Sequence, residues 1–508
     1  MSNLFTRMRF NRIRRDTRQS GDPVQAYGIL LDQATKKDLD LAIVSVFIGY
    51  LFTIVTGFPG SSPLFTAYLK DVLGLSNSAY GLVLTVPYIT VLIQIPYSYY
   101  ARCHNNIKPM FIGFALIAKL MYLVPAFLPL LISHPDPRLS TLIIAGMMLV
   151  ASTSNWIADS SLNTWFGSMI PNQIKGRYLS TRQTVFTVAA LIFSVSLTVL
   201  LPFLTDYPGK YTLLFSLGVA FGCIDILIFF GIRAPSHCVN PYVAVSDVKG
   251  SFSLSQFLKP FRDKRYRDYL LFATSWSFAI NLAGPYFNIY LLEEMRAPLA
   301  MQTILQQIIG FVATILFMRR IGRLNDSFGF KPILQLACYM QAISPLTWLF
   351  TTPSNYGIVG ISNFFAGIFG PAIDLAILSL AIFLAPNEDR ITYLAGKNVT
   401  TALLGFVPAT MLGGFLSDSL QPVIASADIH FFAGHTFTAF HVLVLLSAGL
   451  RAFTALVFLP RLREAEDTTG ISMTMREVGS LLKFTVRRYL AIQNQRLRTI
   501  RRRLSKRN

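Results

Sequence analysis

Charge is scarce in this chain of 508 residues: Asp, Glu, Lys and Arg make up 14% of it, and 25 acids face 45 Lys and Arg. A soluble domain carries nearer a quarter charged residues, so one water-exposed globule is excluded. Cysteine is rarer still, with Cys103, Cys223, Cys238 and Cys338 at spacings that make neither a disulfide scaffold nor a metal site. Reduced thiols, no metal and no cofactor are therefore expected. No Gly-rich phosphate loop, metal-ligand cluster or Ser/His/Asp set occurs, which argues against an enzyme and against intrinsic nucleotide-driven work. The Arg-rich start (Arg7, Arg9, Arg12, Arg14, Arg15) has the composition of a transit peptide but no apolar core follows it, so a cytoplasmic tail is expected.

Apolar residues fill the space that charge leaves. They make up 53% of the chain, aromatics 13%, and the mean hydropathy is +0.50. Twelve apolar stretches approach or exceed the roughly 20 residues a helix needs to cross a bilayer. They fall at 39–59, 79–99, 109–132, 141–170, 183–204, 212–232, 269–291, 301–319, 332–351, 356–385, 398–417 and 436–460. The fold class expected is therefore an all-α membrane protein with twelve transmembrane helices.

The basic residues sort by side. Alternate loops hold Arg102 and Lys108; Lys175, Arg177 and Arg182; Arg262, Lys264, Arg265 and Arg267; Arg319, Arg320, Arg323 and Lys331; and Arg390 and Lys397. On the opposite side Asp71 offsets Lys70, and Glu293 with Glu294 outweighs Arg296. The positive-inside bias then makes the rich loops and both termini cytoplasmic, in a plasma (bacterial inner) membrane. Beyond Arg461 the tail interleaves Arg487, Arg488, Arg496, Arg498 and Arg501 to Arg503 with Val478, Leu482, Val486, Leu490 and Leu497. That face suits an anionic lipid surface, and no nucleic-acid recognition module accompanies the charge.

Two intramembrane acids share one frame. Asp159 is followed by Pro171-Asn172, Tyr178-Leu179 and Arg182, and Asp374 by Pro386-Asn387, Tyr393-Leu394 and Lys397 at the same spacings. Pro63, Phe65, Tyr68 and Leu69 recur as Pro285, Phe287, Tyr290 and Leu291, and Lys108-Pro109 recurs as Lys331-Pro332. Matches in one order at nearly constant displacement imply two parallel six-helix bundles. The domains expected are a tail at 1–38, bundles at 39–232 and 269–460, a cytoplasmic linker at 233–268 and an amphipathic tail at 461–508.

The segment Gly322-Arg323-Leu324-Asn325-Asp326-Ser327-Phe328-Gly329-Phe330-Lys331-Pro332 resembles the signature loop of the major facilitator superfamily (MFS). Lys175-Gly176-Arg177-Tyr178, with Arg182 beyond, is similar to that superfamily's Arg-Gly-Arg segment. The resemblance implies a secondary active transporter of a small solute, working by alternating access about a cavity lined by helices 1, 4, 7 and 10. It further implies a cytoplasmic latch in which Asp326 meets the start of helix 5 and Arg177 or Arg182. The first-half copy carries Cys103 where that acid stands, so the latch is expected to be lopsided.

An acid in hydrocarbon is costly unless it is used or paired, which makes Asp159 and Asp374 candidates for substrate or proton binding. Asn155, Asp159 and Asn163 recur every four residues on one helix face, and Asn363, Gly367, Gly370 and Asp374 share one side of theirs. A structural polar contact between helices is the competing role. Lys119 is a candidate to neutralise Asp159 or Asp225, which would remove the proton role, and Trp276 offers a stacking surface for a sugar or aromatic solute. Asp225 and Arg451 are expected to be structural or pairing groups. The alternative function is a nontransporting membrane sensor or scaffold that retains the fold and acts through its basic tail.

Overall fold

In the computed structural model the described residues are 24–26, 29–57, 62–94, 96–97, 107–131, 136–171, 174–204, 206–207, 209–233, 259–328, 330–386, 390–427, 430–431 and 435–462. The N-terminal and C-terminal basic tails, most of the linker, Cys103, Cys238 and Gly329 lie outside them. So do the side chains of Lys175 to Arg177 and of Gly322 to Phe330, Asp326 included.

The first six helices are α1 (Gln33–Thr56), α2 (Asn77–Ile89), α3 (Ile107–Leu120), α4 (Pro137–Met169), α5 (Lys175–Leu200) and α6 (Lys210–Ile228). The second six are α7 (Lys264–Ala283), α8 (Ile309–Phe328), α9 (Phe330–Ile343), α10 (Val359–Leu384), α11 (Val407–Ala427) and α12 (Ala439–Val457). Ten of the described helical spans are long and apolar enough to cross a bilayer; the shorter apolar Asn77–Ile93 and the broken α7 complete the order. Two small antiparallel ribbons, Val24–Ala26 with Ile29–Leu31 and His430–Phe431 with His435–Thr436, are the strands among the described residues.

Local chemistry sets several ends. Asp136 accepts from the Arg138 amide just before Pro137, and Asp263 accepts from the Arg265 amide, so α4 and α7 begin on capped turns. At the other end, Lys108 donates to the Phe230 and Ile232 carbonyls at 3.0 and 2.6 Å, and Lys331 donates to those of Pro460 and Leu462 at 3.5 and 2.6 Å. Each lysine thus opens one helix and satisfies the orphan carbonyls that end another.

The internal repeat reaches the backbone. Beyond α1 and α7 the chain breaks, restarts near Pro63 and Phe287, and closes in π-helical turns at Tyr68–Val72 and Tyr290–Glu294. Leu73 and Met295 donate to Tyr68 and Tyr290, Leu75 and Ala297 to Leu69 and Leu291, and Gly74 and Arg296 both take positive φ. These pairs are uniformly 222 residues apart, the displacement of the Pro-Phe-Tyr-Leu match. The acids Asp159 and Asp374, the last residues of α4 and α10, and the helix starts at Lys175 and Arg390 are all 215 apart. Both acids lie ten residues from their helix ends, about 15 Å. The segment 322–332 departs from a plain loop: α8 continues through Phe328 and α9 starts at Phe330.

Three apolar clusters make the core. One draws Tyr80 and Val83 from the first half together with Tyr286, Leu305 and Ala409 from the second. It lies toward the distal face, opposite the face where α6 ends and α7 begins. The other two lie toward that linker face and are each confined to one half, Leu31 to Ile232 in one and Tyr266 to Leu462 in the other. Among the described residues the apolar clusters therefore join the halves on the distal side and stay within each half on the linker side.

Candidate functional site

The distal weld is also polar. Asp418 on α11 accepts from the Asn77 and Ser78 amides at 3.1 and 2.8 Å and from the Ser78 hydroxyl at 2.6 Å. The carboxylate sits on the first turn of α2, where free N–H groups favour an anion. Lys70 pairs with Glu293 across the seam at 3.0 Å, not only with its neighbour Asp71, and its side chain is 7% exposed. Gly81 and Gly414 permit this approach, since a Cβ on Gly81 would fall 2.5 Å from the Tyr286 hydroxyl and one on Gly414 2.6 Å from the Asn77 carbonyl oxygen. Deeper in, Tyr88 stacks on Phe406 at 3.4 Å, and Ser194 faces Gln307 at 3.4 Å.

Asp159 sits inside the first half rather than alone. Asn155, one turn earlier, donates to it at 3.3 Å, and the charges acting on it are those of Lys119 on α3 and Arg182 on α5. Lys119 faces Asp225 of α6 as well as Asp159, and its ammonium lies 3.9 Å from the centroid of the Phe52 ring. Asp225 accepts from Ser45 and packs against Gly49, where any side chain would collide with it. Two carboxylates and two cations from α3, α4, α5 and α6, each half-buried, thus act on one another inside the first half without a direct ion pair. Asn163 is exposed one turn beyond.

Asp374 is exposed although protein surrounds it, the position of a group on a cavity wall, and Lys397 is the charge that acts on it. The frame seen in the sequence thus places a cation where its charge acts on each acid, Arg182 together with Lys119 on Asp159 and Lys397 on Asp374, without a direct ion pair at either acid among the described residues. Arg182 lies over the Phe166 ring at 4.9 Å, while its expected partner in the latch, Asp326, lies outside the described side chains.

A cavity of about 380 Å³ opens in the second half between α7, α9, α10 and α12, and Trp276, Asn363, Asp374 and Arg451 all line it. Gly367 does not belong to this wall, because it packs backbone to backbone on Gly310 of α8. Sequence periodicity missed this difference: a 26-residue helix in a bundle touches several neighbours, and Gly367 faces one of them. Arg451, expected as a structural or pairing group, joins α12 to α9 through a hydrogen bond to the Gln341 carbonyl at 3.0 Å and also lines the cavity. An arginine in an apolar run was the available signal.

A family model described as Major Facilitator Superfamily matches residues 41–407. Solved structures of similar fold include a mutant form of the nucleoside transporter NupG, at 14% identity with a TM-score of 0.64, covering 84% of this chain and 100% of that one. The inward-facing bacterial homologue of the iron transporter ferroportin is 14% identical, with a TM-score of 0.58 and coverage of 85% and 99%. The inward-open xylose transporter XylE from E. coli is also 14% identical at a TM-score of 0.58, with coverage of 88% and 99%. No curated protein matches the chain. With its helix order and more than half its length matched by that family model, the chain belongs to the Major Facilitator Superfamily and is a transporter of the membrane.

Proposed function

We propose that this transporter is a secondary carrier of a small polar solute, driven by protons and working by alternating closure of the 39–232 and 269–460 bundles. The supporting observation is the split core: the halves share one apolar cluster toward the distal face and have separate ones toward the linker face. That is the arrangement of a carrier sealed on one side. With the linker and termini cytoplasmic, as the basic loops favour, the sealed side is the outside.

Asp374 is the proton-exchanging group in this proposal, since it is accessible and meets a single cation. Asp159 holds α3, α4, α5 and α6 together through Lys119 and Arg182. Closure of the cytoplasmic side brings Asp326, Gly322, Gly329 and Lys331 of the signature segment to the start of α5 beside Arg177 and Arg182. The basic tail lies on anionic lipid.

Proteoliposomes with an imposed proton gradient and a lumenal pH dye, challenged with a panel of polar solutes, test the reading. One or more solutes should carry protons with the native chain, little with Asp374→Asn, and an intermediate amount with Asp159→Asn. Equal proton flux in all three removes the acids from the mechanism.

A further inference from the structure

The C-half cavity is lined by the carboxylate of Asp374, on which Lys397 acts, and by a buried cation, Arg451. Arg451 is 4% exposed, and no carboxylate acts on it among the described residues. Its Nε has no hydrogen-bond partner, and neither do two other nitrogens on the same wall, Trp276 Nε1 and Asn363 Nδ2. Trp276 is 2% exposed, so its N–H is cut off from bulk water. A buried charge and buried donors left without partners are each costly, and three around one hollow call for an acceptor inside it.

The repeat shows how the charges of the two halves differ. The 223-residue displacement of the helix-opening lysines puts Ala342 where α3 has Lys119. The 230-residue displacement of the carbonyls they hold puts Ala455 where α6 has Asp225. Both alanines are buried, so the second half lacks counterparts of that acid and that base. Arg451 has no counterpart in the first half, where the same displacement falls on Phe221.

Size and lining narrow the occupant. About 380 Å³ is an order of magnitude more than one water or one halide occupies. Ile280, Phe287 and Trp348 give the wall an apolar portion, with the two rings stacked at 4.4 Å, and Gly284 leaves open space where a side chain would stand. An apolar wall with a convergent cation and two N–H donors fits a small organic acid. We infer that the cavity between α7, α9, α10 and α12 binds a small organic carboxylate, with Arg451 as its counter-charge and Trp276 and Asn363 as its hydrogen-bond donors. Its meaning for transport rests on the function proposed above, whereas the binding does not.

The test is binding to the full chain in nanodiscs, read by Trp fluorescence and isothermal calorimetry, with monocarboxylates from acetate to benzoate as probes and their uncharged amides as controls. At least one acid should bind, with its amide ten-fold weaker or worse. Arg451→Gln should weaken that acid by about thirty-fold or more, the loss expected when one partner of a buried charge pair is removed. Trp276→Phe keeps the ring and removes the N–H alone; it should weaken the acid by about ten-fold and carries the test if Arg451→Gln does not purify. Native mass spectrometry should show an adduct of the acid's mass in the native chain and not in Arg451→Gln. No binding by any acid, equal affinity for acid and amide, undiminished affinity in both variants, or a phospholipid adduct in place of the acid would overturn the assignment. Absence of solute-driven proton flux in the native chain, with the acid still bound, would refute the transport reading and leave the site standing.

Discussion

The interiors of the two halves share the equivalent helices α3 and α9, α4 and α10, and α6 and α12, and are filled in opposite ways. Between α3, α4, α5 and α6, Lys119 and Arg182 answer Asp159 and Asp225, Phe52 lies against the ammonium and Gly49 gives the Asp225 carboxylate room. Between α7, α9, α10 and α12, no acid acts on Arg451 among the described residues, and a cavity opens beside it. The backbone repeat survived to the residue, from the π-helical turns to the lysines that hold helix ends, while the charge inventory diverged. Internal duplication thus preserves what packs and leaves free what binds: a helix cap works in either half, but a buried charge must be answered by its own neighbours.

The sharpest test of that contrast is Lys119→Met. It strands two carboxylates in the first half and should cost about 3–5 kcal/mol, seen as a large fall in melting temperature. The double change Lys119→Met with Asp225→Asn should recover part of the loss, and full additivity would break the proposed coupling.

A smaller effect is expected at the distal seam, where burial and the neighbouring Glu293 push the Glu294 carboxyl up to about 7, against a hydrogen bond with Thr438 that favours the ionised form. Because this acid is raised, its stabilising contribution is full below its unfolded value and is lost as pH climbs through about 7. Melting temperature should therefore fall between about pH 5 and 8 in the native chain, and Glu294→Gln should flatten that slope.

The Lys70–Glu293 pair is half open to water, with the Glu293 side chain 44% exposed, so Lys70→Ala should cost only about 0.5–1 kcal/mol. That suffices to raise the labelling of a reporter cysteine below the distal seal two- to five-fold. The smallest effect is expected for Arg451→Met in the second half. Removing a cation that no acid answers should shift stability by less than about 1 kcal/mol, as buried charges replaced by apolar groups often do. A loss as large as that of Lys119→Met would mean that Arg451 has a protein partner, and would erase the contrast between halves.

Much of this was legible along the chain. Matches at Pro63 and Pro285, Lys108 and Lys331, and Asp159 and Asp374 require no more than identity at constant spacing, and each falls on structurally equivalent backbone. The frame even carried the cations that act on the two acids, because a residue 23 positions on crosses one loop to the adjacent helix. Less visible was which face each residue presents. The charge count that sets Asp71 against Lys70 names no partner, and the structure pairs Lys70 with Glu293 of the other half; spacing groups Gly367 with Asp374, although Gly367 meets α8. Arg451 was read as structural because helix 12 is peripheral in the superfamily, whereas its side chain turns into its own bundle.

The sequence by itself determined that the chain lives in a bilayer, that its helices come in two parallel sets, and that two acids sit at one depth. Hydropathy, helical rise and internal identity are properties of the linear order and survive any packing. Only the tertiary structure decided that Asp225 and Asp159 share Lys119, that the distal face is sealed, and that Arg451 faces a hollow. Those depend on which side chains from distant segments converge in a medium of low dielectric. There a charge is set by its nearest neighbours in space, and the order of residues along the chain does not name them.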